Sequence, residues 1–360
     1  MLLWSDNYNL KLNKMRKLFI AFVIIALQGT LEAQDIHFSQ FFNAPLFLNP
    51  ALTGIYNGNQ RGILNYKDQW RSVASPYKTF AASYDTRFMY TTNDQFGIGA
   101  SFFSDAAGDL KMGTNQFNIL VSYQKQLTPL MGFSFGIQGG VGQTSLKGGP
   151  ALQQWGNQYD GTAYNPALPS GEVNTIDNYM YGDFSTGALW QYGYNENYIT
   201  ANDQFNVQLG IGYDHINRPR QSFYADKAQR LYSKTTFHGS SEIGISNTNL
   251  AIVPQFVYLH QGPADELDLG SMFKFKLQEA SKHTMWIKSA FWSVGGFYRA
   301  KDAFVLATSI EFSGYFFGVS YDINTSKLRD ASSGKGGLEF SLKYIPPPAS
   351  KFSTKTPRIR

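Results

Sequence analysis

From Gly62 onward, apolar and polar residues alternate along the chain with a period of two. That period belongs to strands, which send successive side chains to opposite faces. Phe80, Ala82, Tyr84 and Phe88 alternate with Thr79, Ser83, Asp85 and Arg87. Phe205, Val207, Leu209, Ile211 and Tyr213 oppose Asn206, Gln208, Gly210 and Gly212, and Leu338, Phe340, Leu342 and Tyr344 oppose Glu339, Ser341 and Lys343. About fourteen such segments can be traced, centred near Tyr66, Tyr84, Gly99, Leu120, Ile137, Ala188, Gln208, Ser240, Val253, Gly270, Phe291, Ala307, Val319 and Ser341. Most span about nine to eleven residues, the length that carries a tilted strand across a bilayer. Past Leu27, no apolar run is long enough for a membrane helix. The pattern predicts a nearly all-β chain.

Such a pattern fits a soluble sandwich or a transmembrane antiparallel barrel, and three features favour the barrel. The polar faces carry Gly, Ser, Asn and Gln with scattered charges of both signs (Lys274, Lys276, Lys288, Glu311, Glu339), which suits a hydrated lumen. The apolar rows repeatedly end in Phe, Tyr or Trp, as in the aromatic girdles of outer-membrane barrels. The connections also sort by length, with Asn195–Asp203, a polar turn on the short side, as a modest exception. Those near Thr91–Asp94, Leu127–Met131, Asn247–Asn249, Ala280–His283 and Gly314 are short and fall on one side. Asp105–Gly113, Gln143–Met180, His215–Ser233 and Asn324–Lys335 fall on the other, as expected when an even-stranded barrel keeps both termini in the periplasm.

Two stretches break the alternation. Met15-Arg16-Lys17, the apolar run Leu18–Leu27 and Leu31-Glu32-Ala33 have the order of an export signal, leaving Gln34 as the expected mature N-terminus. Met1–Lys14 precedes this signal and is read as an upstream mis-start. The second stretch is Gln34–Gly54. Pro45 and Pro50 fix φ and remove ladder donors, so a central strand is not expected there. Phe38, Phe41, Phe42, Leu46, Phe47 and Leu48 nevertheless require something to pack against. An N-terminal arm, a first strand and a segment folded into or across the periplasmic mouth all remain open.

Phe38-Ser39-Gln40, Pro45-Leu46, Leu48-Asn49-Pro50-Ala51 and Gly54 resemble the opening of the PorP/SprF family. Asn65-Tyr66 with Gln69-Trp70, and Ser320-Tyr321-Asp322-Ile323 with Ser326-Lys327-Leu328, fit the same pattern. The resemblance implies an outer-membrane protein of type IX secretion and gliding in Gram-negative bacteria. As implied partners it brings the membrane lipid, a secreted type IX substrate or surface adhesin, and periplasmic secretion or motility lipoproteins. Its expected role is to hold a secreted surface protein or to link the barrel to periplasmic machinery. A passive porin or solute channel is the alternative.

Composition adds mainly exclusions. There is no cysteine, so disulfides and thiolate chemistry are ruled out. A net charge of +5 without a Lys/Arg cluster among stacking aromatics argues against nucleic acid. His37, His215, His238, His260 and His283 show no ligand spacing, and no metal or cofactor is expected. Asp105, Gly108 and Asp109 are read as a solvated turn; Gly136, Gly139, Gly140 and Gly142 as bulge or close-packing glycines within a strand. No nucleophile elbow or triad is evident, and the expected protein is not an enzyme. Trp155, Tyr159 and Tyr164, in the longest outer connection, are the candidate partner-docking residues. The expected organisation is an upstream segment and signal peptide (1–33), an N-terminal periplasmic or lumenal segment (34–61), an outer-membrane barrel of about 14 strands (62–345) and a basic Pro-rich periplasmic tail (346–360).

Overall fold

The computed structural model describes residues 35–69, 76–88, 93–108, 112–146, 154–171, 178–194, 202–224, 229–278, 289–326 and 328–346. The expected signal peptide, Trp70, Lys327 and the tail from residue 347 lie outside them. The chain divides into two units, Met1–Asp35 and Ile36–Arg360, and all of the secondary structure among the described residues belongs to the second.

The wall of this unit is a closed barrel of fourteen strands, each antiparallel to its neighbours in sequence, with β1 paired to β14. The first seven are β1 (Gln60–Gln69), β2 (Tyr77–Phe88), β3 (Asp94–Ala107), β4 (Met112–Thr128), β5 (Met131–Leu146), β6 (Asn178–Tyr194) and β7 (Phe205–Asp214). Then come β8 (Lys234–Gly244), β9 (Leu250–Gln261), β10 (Ala264–Gln278), β11 (Ala290–Arg299), β12 (Ala303–Phe312), β13 (Tyr315–Asn324) and β14 (Lys335–Tyr344). Every expected segment centre falls in its own strand. The strands are longer than expected on one side, reaching 17 residues in β4 and β6 and 16 in β5.

We call the rim where β1 begins and β14 ends proximal, and the opposite rim distal. Loop lengths sort less cleanly than the sequence suggests. On the proximal rim the expected Ala280–His283 turn lies outside the described residues. On the distal rim β9–β10 and β11–β12 turn tightly, with positive φ at Gly262 and Lys301.

The barrel is apolar outside and polar within. Ile119, Ile137, Leu209, Leu306 and Leu342 face outward and are exposed, while Asn118, Ser122, Asp183, His238, Asp322 and Ser341 face inward and are buried. Exposed aromatics band the outer face near both rims: Tyr194, Phe312, Tyr315 and Tyr344 proximally, Tyr77, Tyr213, Tyr298 and Phe304 distally. Amphipathic rings at two levels around an apolar band are the arrangement of a lipid-embedded barrel.

Candidate functional site

A wall of fourteen strands encloses more space than its own inward side chains fill. Eight strands make a barrel that side chains can pack, and 16–18 leave an aqueous channel. Here the chain itself enters that space, with Ile36–Ile55 forming a plug inside the lumen. Its prolines explain its shape. Pro45 opens a one-turn helix, Pro45–Leu48, and Pro50 a 3-10 turn, Pro50–Leu52. At a first helical position the missing N–H has no intrahelical partner to lose. Asn49 caps the second turn, its Oδ1 accepting the Ala51 N–H at 2.8 Å.

Two apolar clusters hold the plug. Phe41, Leu48, Ala51, Leu52 and Ile55 pack with Leu189, Val257, Phe297 and Val305 of the wall, and Phe41 meets the Phe297 ring edge-on at 5.7 Å between centroids. Phe38 and Ala44 bury against Ala81, with Phe47 and Phe103 beside them. Each fully buried Phe or Leu contributes about 1.5–3 kcal/mol relative to exposure.

The wall also grips the plug's main chain. Lys67 Nζ donates to His37 O (3.1 Å), and Glu339 accepts the N–H groups of Ser39 (2.7 Å) and Gln40 (3.0 Å). Asn65 donates to Asn43 O. Across the lumen, Asn49 Nδ2 reaches Ala188 O, Ile211 O and His238 Nε2. The chain then returns along the wall: Ser134 Oγ donates to Ala51 O, Ser122 Oγ to Thr53 O, and Asp85 accepts the Gly54 N–H. Arg61 closes the circuit, bonding Leu52 O and pairing with Asp85 at 2.7 Å. Lys67 lies near the distal end of β1 and Arg61 near its proximal end. The plug therefore descends from the distal third to the proximal rim while circling the lumen.

Its upper end is fixed by charge. Arg299 Nη2 donates to Ser39 Oγ at 3.0 Å, and its guanidinium lies 3.1 Å from Asp322, 3.2 Å from Asp268, 3.5 Å from Asp302 and 3.6 Å from Glu266. Ser39 Oγ in turn donates to Asp322 at 2.8 Å. His37 sits 3.7 Å from Glu266. Burial, reinforced by Lys67 and Arg299, holds this imidazole well below its ordinary value.

Glycines on the wall make the close approach possible. A Cβ on Gly136 would overlap the backbone of Pro50 and Ala51, and one on Gly187 would overlap the Asn49 carboxamide. Among the glycines of β5, Gly136 is thus a close-packing position against the plug; β4 and β5 shift register only between Gln126 and Thr128, so no bulge occurs there. Gly136→Leu is expected to dislodge the plug, seen as new protease cleavage between Phe38 and Ala51 in a barrel that stays closed. Gly62→Leu, where nothing lies within 4 Å, should leave the plug protected. Equal protection in both variants would remove the steric argument.

The distal rim carries the second feature. Within 154–171 a short 3-10 turn, Gly156–Gln158, follows Trp155, and Tyr159 and Tyr164 pair in an isolated antiparallel bridge. Asp160 accepts from the N–H and hydroxyl of Thr162 and the N–H of Ala163, and these bonds hold its carboxyl below the ordinary range. Gln158 is buried and donates to Leu168 O. Trp155 is half-buried and Tyr159 is 59% exposed. Beneath the rim, His215 Nδ1 lies 2.9 Å from Asp183, which also accepts from Gln116.

The structure gathers most of the family-like motif in one place. Phe38, Ser39, Gln40, Pro45, Leu46, Leu48, Asn49, Pro50, Ala51 and Gly54 form the plug, and Asn65 and Asp322 bind it from the wall. Tyr66 and Tyr321 face outward and are exposed. Gln69 ends β1, and the Ser326 N–H bonds Asp302 O at the distal rim. Sequence reasoning missed Arg61, Asp85, His238, Asp268, Arg299 and the wall partners Ser122 and Ser134; the only available signal was polar residues on the predicted inner faces.

The family profile described as type IX secretion system membrane protein PorP/SprF matches residues 30–344. No curated protein matches the chain. Among solved structures, the monoaromatic hydrocarbon channel CymD aligns with a TM-score of 0.45 and 10% identity over 83% of this chain and 91% of its own. A FadL homologue from Pseudomonas aeruginosa aligns with 0.40 and 9% over 82% and 92%. CdiB from Acinetobacter baumannii gives 0.43 and 9% over 79% of this chain, which spans 60% of the CdiB length. These likenesses concern the barrel alone. By its profile match over residues 30–344 and its closed, lipid-banded wall, the chain is an outer-membrane protein and belongs to the PorP/SprF family of type IX secretion system membrane proteins.

Proposed function

We propose that this protein is a non-enzymatic platform that retains or assembles a secreted surface protein at the extracellular face. The observation that carries the reading is the plug. A general porin needs a water-filled path, whereas this lumen holds Ile36–Ile55, fastened by apolar packing and by hydrogen bonds from both halves of the wall. In an even-stranded outer-membrane barrel the rim bearing both termini is periplasmic, so the distal rim faces outside. There the 154–171 loop is internally braced and presents aromatics at little further cost in ordering, as an anchor for a protein partner requires. Arg218 and Arg230, exposed on the neighbouring 215–233 connection, add positive charge that steers acidic partners.

Replacing Trp155, Tyr159 and Tyr164 together by Ala is expected to release the retained protein into the medium while barrel levels stay normal. Surface retention of every type IX substrate after the triple change and after deletion of the loop would end the docking assignment.

A further inference from the structure

The plug does not fill the lumen completely. A cavity of about 230 Å³ remains between it and the β8–β14 wall. Phe41 and Phe42 of the plug bound it, Val253, Met272, Phe297 and Ala307 add apolar surface, and Gln255, Ser293 and Ser309 give the remaining wall an uncharged polar lining. Its charged lining groups are Glu242, Lys274, Glu311 and Lys343, each in the proximal half of its strand. The cavity's polar end therefore lies toward the periplasm.

Two of these charges are already committed to each other: Lys274 Nζ lies 3.0 Å from Glu242. The other two are not. Glu311 and Lys343 make no hydrogen bond or ion pair with a described residue. Phe316 separates them, since the register pairs it with Glu311 on one side and Lys343 on the other. Two strand spacings place their backbones about 10 Å apart. Lys343 Nζ stands 4.3 Å from the centre of the Phe316 ring. A carboxylate and an ammonium thus flank an aromatic ring at the edge of the cavity, with no direct ion pair between them.

We propose that this cavity binds a small zwitterion bearing one large apolar side chain: an aromatic or branched amino acid, free or as the end of a dipeptide, entering from the periplasm. The ligand's ammonium meets Glu311, its carboxylate meets Lys343, and its side chain enters the apolar space. Size agrees with this class. An apolar cavity of about 150 Å³ holds one benzene, so the present volume takes a phenyl group with the few heavy atoms of an amino-acid head. The assignment is independent of the docking role proposed for the opposite rim.

Calorimetric titration of the purified, detergent-solubilised full chain tests it, with the probes L-phenylalanine, alanyl-phenylalanine and N-acetyl-phenylalanine amide. At least one of the first two should saturate a single site, and the tighter of them identifies the length accommodated. The amide lacks both charges and should bind at least about tenfold more weakly, the loss of one charge-assisted hydrogen bond or more. Glu311→Gln and Lys343→Gln should each cost a similar factor while the barrel remains heat-modifiable on gels. Absence of saturation by both zwitterions, equal affinity for the amide, or unchanged affinity in both variants would each overturn the proposal. The ligand series uses the unaltered protein, so it decides even where a variant does not fold.

Discussion

Deleting Phe38–Ala51 is expected to convert a non-conducting barrel into a conducting one. The wall does not depend on this segment for its own closure. All fourteen strands pair with their neighbours, and β1 meets β14 along a continuous register from Gly62↔Tyr344 to Gln69↔Gly337. The groups that would be uncovered are mostly polar: Glu339, Asp322, Asn65, His238 and Ser134 give up plug hydrogen bonds and take water instead. The apolar losses, Leu189, Val257, Phe297 and Val305, are few beside the lipid-facing belt that keeps the barrel in the membrane. In planar bilayers the intact protein should show little current, and the deleted form should exceed it by an order of magnitude or more in discrete steps. A full-length protein that already conducts as the deletion does would restore the channel reading. A deletion that leaves current unchanged would mean that other parts of the chain close the lumen.

How much of this was legible in the sequence depended on the range of the interaction. Alternation is local, so the strands could be placed one by one from side chains two residues apart. The plug was half legible. Its prolines argued against a central strand and its phenylalanines demanded burial, yet nothing nearby in sequence named the surface that receives them. The answer lies in residues such as Glu339 and Asp322, about three hundred positions from Ser39, brought to it only by barrel closure. Inward placement also reverses the usual meaning of burial. His238, Arg299 and Glu339 look like exposed polar residues on alternating strands, and they become buried because the lumen is occupied. The glycines of β5 shared one sequence signature but not one environment: Gly136 faces the plug, while Gly140 faces Asn118 of β4. Strand length failed as a guide on β4–β6, because their distal ends continue past the apolar belt with Asn115, Gln143 and Asn178, which the bilayer does not dictate.

Arg299→Met should be the most damaging single substitution in the lumen. Its side chain is 2% exposed and lies among Asp268 and Asp322, each also 2% exposed, with Glu266 and Asp302 behind them. Methionine fills much of the volume but supplies no charge, leaving two buried carboxylates facing each other and Ser39 Oγ without its donor. Breaking a buried pair from one side costs about 3–5 kcal/mol, because the remaining charge stays desolvated. The loss should appear twice: as a lower temperature for conversion of the compact gel band to the unfolded one, and as plug cleavage beginning at its upper end, near Ser39. Lys125→Met is the matched contrast. Lys125 pairs with Asp94 at an even shorter 2.7 Å, but the two side chains are 44% and 31% exposed, so the change should leave the conversion temperature nearly unaltered. Adding Asp268→Asn to Arg299→Met removes one orphaned charge and should recover part of the lost stability. Equal conversion temperatures for Arg299→Met and Lys125→Met would show that the Arg299 cluster does not fasten the plug.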